Sequence, residues 1–148
     1  MLGTATAIER PRVTTTTKQQ RSDPLTRHVR DFENYSAAMI VLAESAPDRM
    51  SLSQGIFFIL TATADLAGKD PTFSDIKEAV GDTVNRSLHT TYRVLLEPSR
   101  NYPDGLGWLR QEPNPMDARQ KFLRLTPKGK SVLKGMLHAM NIKMEGAN

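Results

Sequence analysis

The sequence predicts a mainly α-helical domain carrying one small β-hairpin toward its C-terminal end. Three observations carry that prediction. Apolar residues recur at spacings of three and four along several segments, capping residues stand at the heads of those segments, and the period switches to two over residues 108–112 and 121–125. The composition agrees: 148 residues, 39% hydrophobic and 24% charged, with a single Trp, suit one domain of ordinary size with a real core. The longest apolar run, residues 56–60, is far short of the roughly 20 residues that a membrane helix needs. Glu9, Arg10, Pro11 and Arg12 break up the N-terminus, which lacks the apolar centre of a secretory signal. Without cysteine there is no disulfide framework, thiolate metal site or nucleophilic thiol, and the reducing cytoplasm is the expected location.

Residues 1–23 are rich in Thr, Arg and Gln with little to bury, and read as a disordered arm. Order is expected from Asp23-Pro24, a good N-cap followed by a residue suited to the first helical turn. From there Leu25, Val29, Phe32, Ser36, Met39 and Ala43 define a long amphipathic helix over 24–46, ending before Pro47. Ser51-Leu52-Ser53-Gln54 is a capping-box pattern, so a second helix starts there and reaches about Ala67, with Gly68 past its end. No residue from Ser51 to Ala64 is charged, which describes a helix buried on most sides. The rival reading of 56–60 as a central strand is weakened by the length of the neutral stretch and by the caps.

Thr72 and Asp75 announce a third helix with Ile76, Ala79 and Val80 on one side, stopping at Gly81. Asp82 or Thr83 caps a fourth, which runs to about Glu97 because Pro98 follows. Residues 99–107, with Pro103, Asp104-Gly105 and Gly107, form a loop. Two short strands follow, joined by a long polar tip over 113–119, and Thr126-Pro127 opens a last helix carrying Val132, Leu133, Met136, Leu137, Met140 and Met144.

A short helix, a Gly-containing turn, a second helix and a basic hairpin is the layout of a winged helix-turn-helix. Charge fits an anionic partner. Residues 1–80 hold 9 Lys/Arg against 10 Asp/Glu, while residues 81–148 hold 11 against 6. On the fourth helix Val84, Leu88, Thr91 and Leu95 fall on one side with Tyr92 at its edge, and Arg86, His89, Thr90, Arg93 and Glu97 fall opposite. That outer face has donors for guanine acceptors or phosphates, and by itself a solvated helix face explains it equally well.

The run Asp117-Ala118-Arg119-Gln120-Lys121-Phe122-Leu123-Arg124-Leu125-Thr126-Pro127-Lys128-Gly129 resembles the wing signature of the multiple-antibiotic-resistance regulator (MarR) family: acid, one residue, Arg, then an alternating strand ending Leu-Thr-Pro-Lys-Gly. Ser51-Leu52-Ser53-Gln54 and Leu96-Glu97 are similar to that family's second-helix opening and recognition-helix end, so the resemblance covers about residues 50–134. It implies a sequence-specific, DNA-binding transcriptional regulator acting as a homodimer on double-stranded DNA. Asn85, Arg86, His89, Thr90, Arg93, Arg119 and Lys121 are then the DNA-contacting residues, with Arg119 at the wing tip and Asp117 orienting it. Leu25, Val29, Phe32, Met39, Met136 and Met140 form the dimer interface, on flanking helices over 24–46 and 127–145. The resemblance also implies a small aromatic effector between the dimerisation helices and the DNA-binding lobe, although no polar cluster marks such a pocket. Two departures stand out: the link from Pro98 to Leu106 is longer than the family's usual tight one, and the chain ends soon after its last helix, where many relatives continue.

The alternative of another class is a winged-helix module that binds protein through the same surfaces. No enzyme is expected, nor any cofactor, metal or membrane contact. His28, His89 and His138 lie on separate helices without ligand spacing, and Gly105-Leu106-Gly107-Trp108 lacks the third glycine and following helix of a phosphate loop.

Overall fold

The computed structural model describes residues 23–46, 50–82 and 92–144. The expected arm over 1–23 lies outside the described residues save for Asp23, and so do residues 83–91, which make up most of the expected fourth helix. The chain divides into two compact units, Met1–Ser36 and Ala37–Asn148.

In the first unit Asp23 caps the chain as its sequence suggests, its Oδ1 accepting from the Leu25 N–H at 2.9 Å. The expected single helix from residue 24 is instead a 3-10 helix, Pro24–His28, followed by α1, Val29–Glu44. The Thr26 N–H reaches the Asp23 carbonyl at 3.0 Å, and such i to i+3 bonds tighten the first turn of a helix whose early donors have no partner further back. Leu25, Val29, Phe32 and Tyr35 all stand exposed.

The second unit is built around α2, Leu52–Leu66. Its capping box closes in both directions: the Ser51 Oγ accepts from the Gln54 N–H at 3.1 Å, and the Gln54 Oε1 accepts from the Ser51 N–H at 3.0 Å. Phe57, Phe58, Thr61 and Ala62 are buried, as a neutral segment predicts, and the Thr61 hydroxyl is satisfied by the Phe57 carbonyl at 2.7 Å. A second capping box, Thr72 with Asp75, opens α3, Phe73–Val80, which ends at Gly81 with φ +87°. The C-terminal half of α1 contributes buried Ala38 and Leu42 to this unit.

Tyr92–Leu95 is a 3-10 turn, and the helical geometry expected as far as Glu97 is absent from residues 96 and 97. Leu96 forms a parallel bridge with Leu109, and the Glu97 N–H donates to the Leu109 carbonyl at 3.0 Å. Pro98 disfavours helical geometry at Glu97, and the neighbouring strand supplies the partner that an extended residue needs. Strand β1, Leu109–Asn114, pairs antiparallel with β2, Asp117–Leu125, in the register Leu109 with Leu125 and Pro113 with Lys121. The long tip expected over 113–119 is thus mostly strand. Only Pro115 and Met116 intervene, and the pairing shifts between Pro113 and Asn114. The Asn114 Oδ1 caps the turn by accepting from the Met116 N–H at 2.9 Å, a side-chain turn that lets a residue read as loop sit in the ladder.

β2 is also tied to the start of α3, since the Leu123 N–H donates to the Pro71 carbonyl at 2.8 Å. Thr126 caps α4, Pro127–Ala139, through the Gly129 N–H at 3.0 Å, and its own hydroxyl donates to the Gly107 carbonyl at 2.5 Å. Gly129 has no substitute: a Cβ there would lie 2.3 Å from the Trp108 carbonyl oxygen. Between these elements lies a core of Phe57, Phe58, Leu95, Trp108, Leu109 and Leu123, with Phe58 and Trp108 rings 4.9 Å apart and Phe73 against Tyr92 at 4.4 Å. Burying each of these large side chains stabilises the fold by about 2–3 kcal/mol relative to leaving it in water. The described residues are therefore mainly helical with one two-stranded antiparallel hairpin, and no helix among them is long and apolar enough to cross a membrane.

Candidate functional site

Asn85, Arg86, His89 and Thr90 lie outside the described residues. The remaining residues assigned to a DNA surface are Arg93, Arg119 and Lys121, and all three side chains are exposed. Arg93 leaves the 3-10 turn with its guanidinium carbon 5.0 Å from the centre of the Tyr102 ring and 6.0 Å from that of Tyr92. Arg119 sits beside the hairpin tip with its side chain 94% exposed. Asp117 contacts it mainly through the backbone: its Oδ1 accepts from the Arg119 N–H at 3.0 Å and more distantly from Nε at 3.4 Å.

The structure gathers Arg93 and Lys121 into one cleft of about 460 Å³, lined also by Glu97, Tyr102, Arg110 and Gln111. Lys121 and Arg119 share a smaller hollow with Thr72, Ser74 and Gln111, beside the first turn of α3. Arg110 and Tyr102 escaped the sequence reading. Their roles depend on where the loop after Pro98 lies, which no local pattern specifies.

Arg124 was missed for the same reason. At the base of the hairpin its Nη1 lies 3.1 Å from the Asp65 Oδ1 and 2.8 Å from the Asp70 Oδ1, and its Nε donates to the Glu112 Oε2 at 2.8 Å. The second Asp65 oxygen accepts from the Leu125 N–H at 2.8 Å. The hydrogen bond to Glu112 leads in pushing the Arg124 pKa above its usual value; burial opposes this, and the bonds to Asp70 and Asp65 add to the rise. Two nitrogens of this guanidinium are engaged by three carboxylates, and what it does is fasten the hairpin to the end of α2. The alternation of β2 places residue 124 on one face with residue 122, but nothing local in the chain pairs it with Asp65.

Of the proposed interface residues, Leu25, Val29 and Phe32 are exposed in the first unit. Met39 packs partly against the core of its own unit. Met136 and Met140 line an open apolar groove of about 500 Å³ with Ile59, Leu66, Leu133 and Leu137, flanked by Lys130 and Lys134. His28 pairs with Asp31 at 2.9 Å and His138 is exposed; among the described residues no group of three or more His, Asp or Glu is placed to hold a metal ion. No protein-family model, curated protein or solved structure matches the chain.

Proposed function

We propose that this chain is a winged helix-turn-helix regulator that binds double-stranded DNA as a homodimer, with the segment around Arg86 to Arg93 in the major groove and the hairpin along the backbone. The observation that carries this reading is the contrast within the hairpin: its base is locked to α2 and α3, while Arg119 and Lys121 near its tip remain in solvent and free of carboxylates other than Asp117 among the described residues. An arm fastened at its base that presents unneutralised cations is suited to phosphates, whose contact releases counterions. The similarity of the Asp117 to Gly129 run to the MarR wing, and the short α3 ended by Gly81, support the same assignment. One recognition element reads few base pairs, so a second copy is required. The apolar stripe of Leu25, Val29 and Phe32 and the groove at Met136 and Met140 are the surfaces offered for pairing.

Fluorescence anisotropy of labelled duplex over about 50–200 mM salt tests the reading, together with sedimentation velocity at micromolar protein. The expected outcome is a dimer whose affinity falls steeply with salt. Weak binding that salt leaves unchanged would overturn the DNA assignment in favour of a protein-binding winged helix.

A further inference from the structure

The loop from Pro98 to Leu106, between the 3-10 turn and the hairpin, is an ordered element with its own hydrogen bonds. Ser99 and Tyr102 exchange backbone bonds, Ser99 N–H to the Tyr102 carbonyl at 2.9 Å and Tyr102 N–H to the Ser99 carbonyl at 3.1 Å, and the Ser99 hydroxyl accepts from Tyr102 N–H at 3.2 Å. The loop then presses onto the chain that precedes it. A Cβ on Gly105 would stand 2.3 Å from the Leu96 carbonyl oxygen, and the Leu106 N–H donates to the Val94 carbonyl at 2.7 Å. So anchored, the loop has a purpose legible in what it touches: it sets the Tyr102 ring against the Arg93 guanidinium, 5.0 Å away. An arginine held against an aromatic face loses few rotamers on meeting a ligand, because its plane is already oriented.

Three cations border the same cleft, Arg93, Arg110 and Lys121, against one carboxylate, Glu97. Among the described residues neither Arg93 nor Lys121 is ion-paired, and Arg110 has only a 3.6 Å contact with Glu112, whose other oxygen is taken by Arg124 at 2.8 Å. Ser99, Asn101, Tyr102 and Gln111 add polar groups at the rim. An open cleft bordered by more cations than carboxylates, with polar groups around it, matches an oxyanion attached to a larger body, which is the chemistry of a backbone phosphodiester.

We propose that this loop completes a phosphodiester-binding cleft, formed by Arg93, Arg110, Lys121 and Tyr102, which grips the DNA backbone between the recognition segment and the wing. The proposal rests on the DNA-binding reading above and adds a contact element to it. The test uses the full chain and a random-sequence duplex, with affinity followed against salt for the wild type, Arg110→Ala, Tyr102→Ala, Tyr102→Phe and, as a charge control outside the cleft, Lys143→Ala. Circular dichroism confirms that each variant is folded. Arg110→Ala is expected to weaken binding about three- to tenfold and to lower the salt slope by roughly one. Tyr102→Ala removes no charge, so its expected loss of about two- to fourfold reports the holding of Arg93, and Tyr102→Phe, which keeps the ring, should bind as the wild type does. Wild-type behaviour of both Arg110→Ala and Tyr102→Ala, or an equal loss in Lys143→Ala, overturns the cleft while leaving DNA binding intact. A wild type that binds no duplex at all overturns the underlying reading and the cleft with it.

Discussion

Arg119 and Arg124 lie five residues apart on one strand and have opposite surroundings. Arg124 meets three carboxylates, two of them within 2.8 Å, with its side chain 19% exposed. Arg119 has one partner at 3.4 Å. A guanidinium already neutralised by three carboxylates offers an anion little net attraction, whereas a solvated one exchanges only water. Within this hairpin, therefore, structural and available cations are told apart by their neighbours and not by residue type.

The contrast can be broken most forcefully at its base. Arg124→Ala leaves Asp65, Asp70 and Glu112 facing one another without their shared cation, and should destabilise the fold by about 2–3 kcal/mol in urea denaturation. A loss below about 0.5 kcal/mol would show that the cluster is solvated enough to do without it. Thr126→Ala, next in size, removes both the cap of α4 and the bond to the Gly107 carbonyl, for an expected cost of about 1–2 kcal/mol. An unchanged unfolding midpoint would mean that the junction between hairpin and α4 is held by packing alone. The smallest effect on stability belongs to the tip: Arg119→Ala should stay within about 0.5 kcal/mol of the wild type, while the duplex binding proposed above should weaken and its salt slope fall by roughly one. Stability loss at the tip comparable to that at the base would erase the distinction.

Local features of this fold were legible in the chain. Ser51 with Gln54, Thr72 with Asp75, and Thr126 before Pro127 each form a cap within three residues, so the pattern contains the whole interaction. The neutral stretch of α2 likewise predicted its burial. Errors arose where a distant partner decided the outcome. Leu96 and Glu97 leave the helical path because Leu109 offers them a ladder, and the hairpin tip is short because Asn114 and Asp117 pair despite a composition typical of turns. The same limit applies to the candidate site. Arg119 and Lys121 could be named from a motif, but Arg110 and Tyr102 could not, since what brings them to Arg93 is the course of a loop pinned to the carbonyls of residues 94–96. Arg124 and Asp65 are 59 residues apart, and no periodicity links them.

The carboxylate cluster at the hairpin's base has an electrostatic corollary. Asp65, Asp70 and Glu112 outnumber Arg124 in that cluster, whereas Arg119 and Lys121 outnumber Asp117 toward the other end. The hairpin's own charges sum to plus one at either end, and the acids that residues 65 and 70 set against its base make the tip the more positive end. In the field of any polyanion that difference in charge produces a torque on the whole molecule that favours approach with the tip leading.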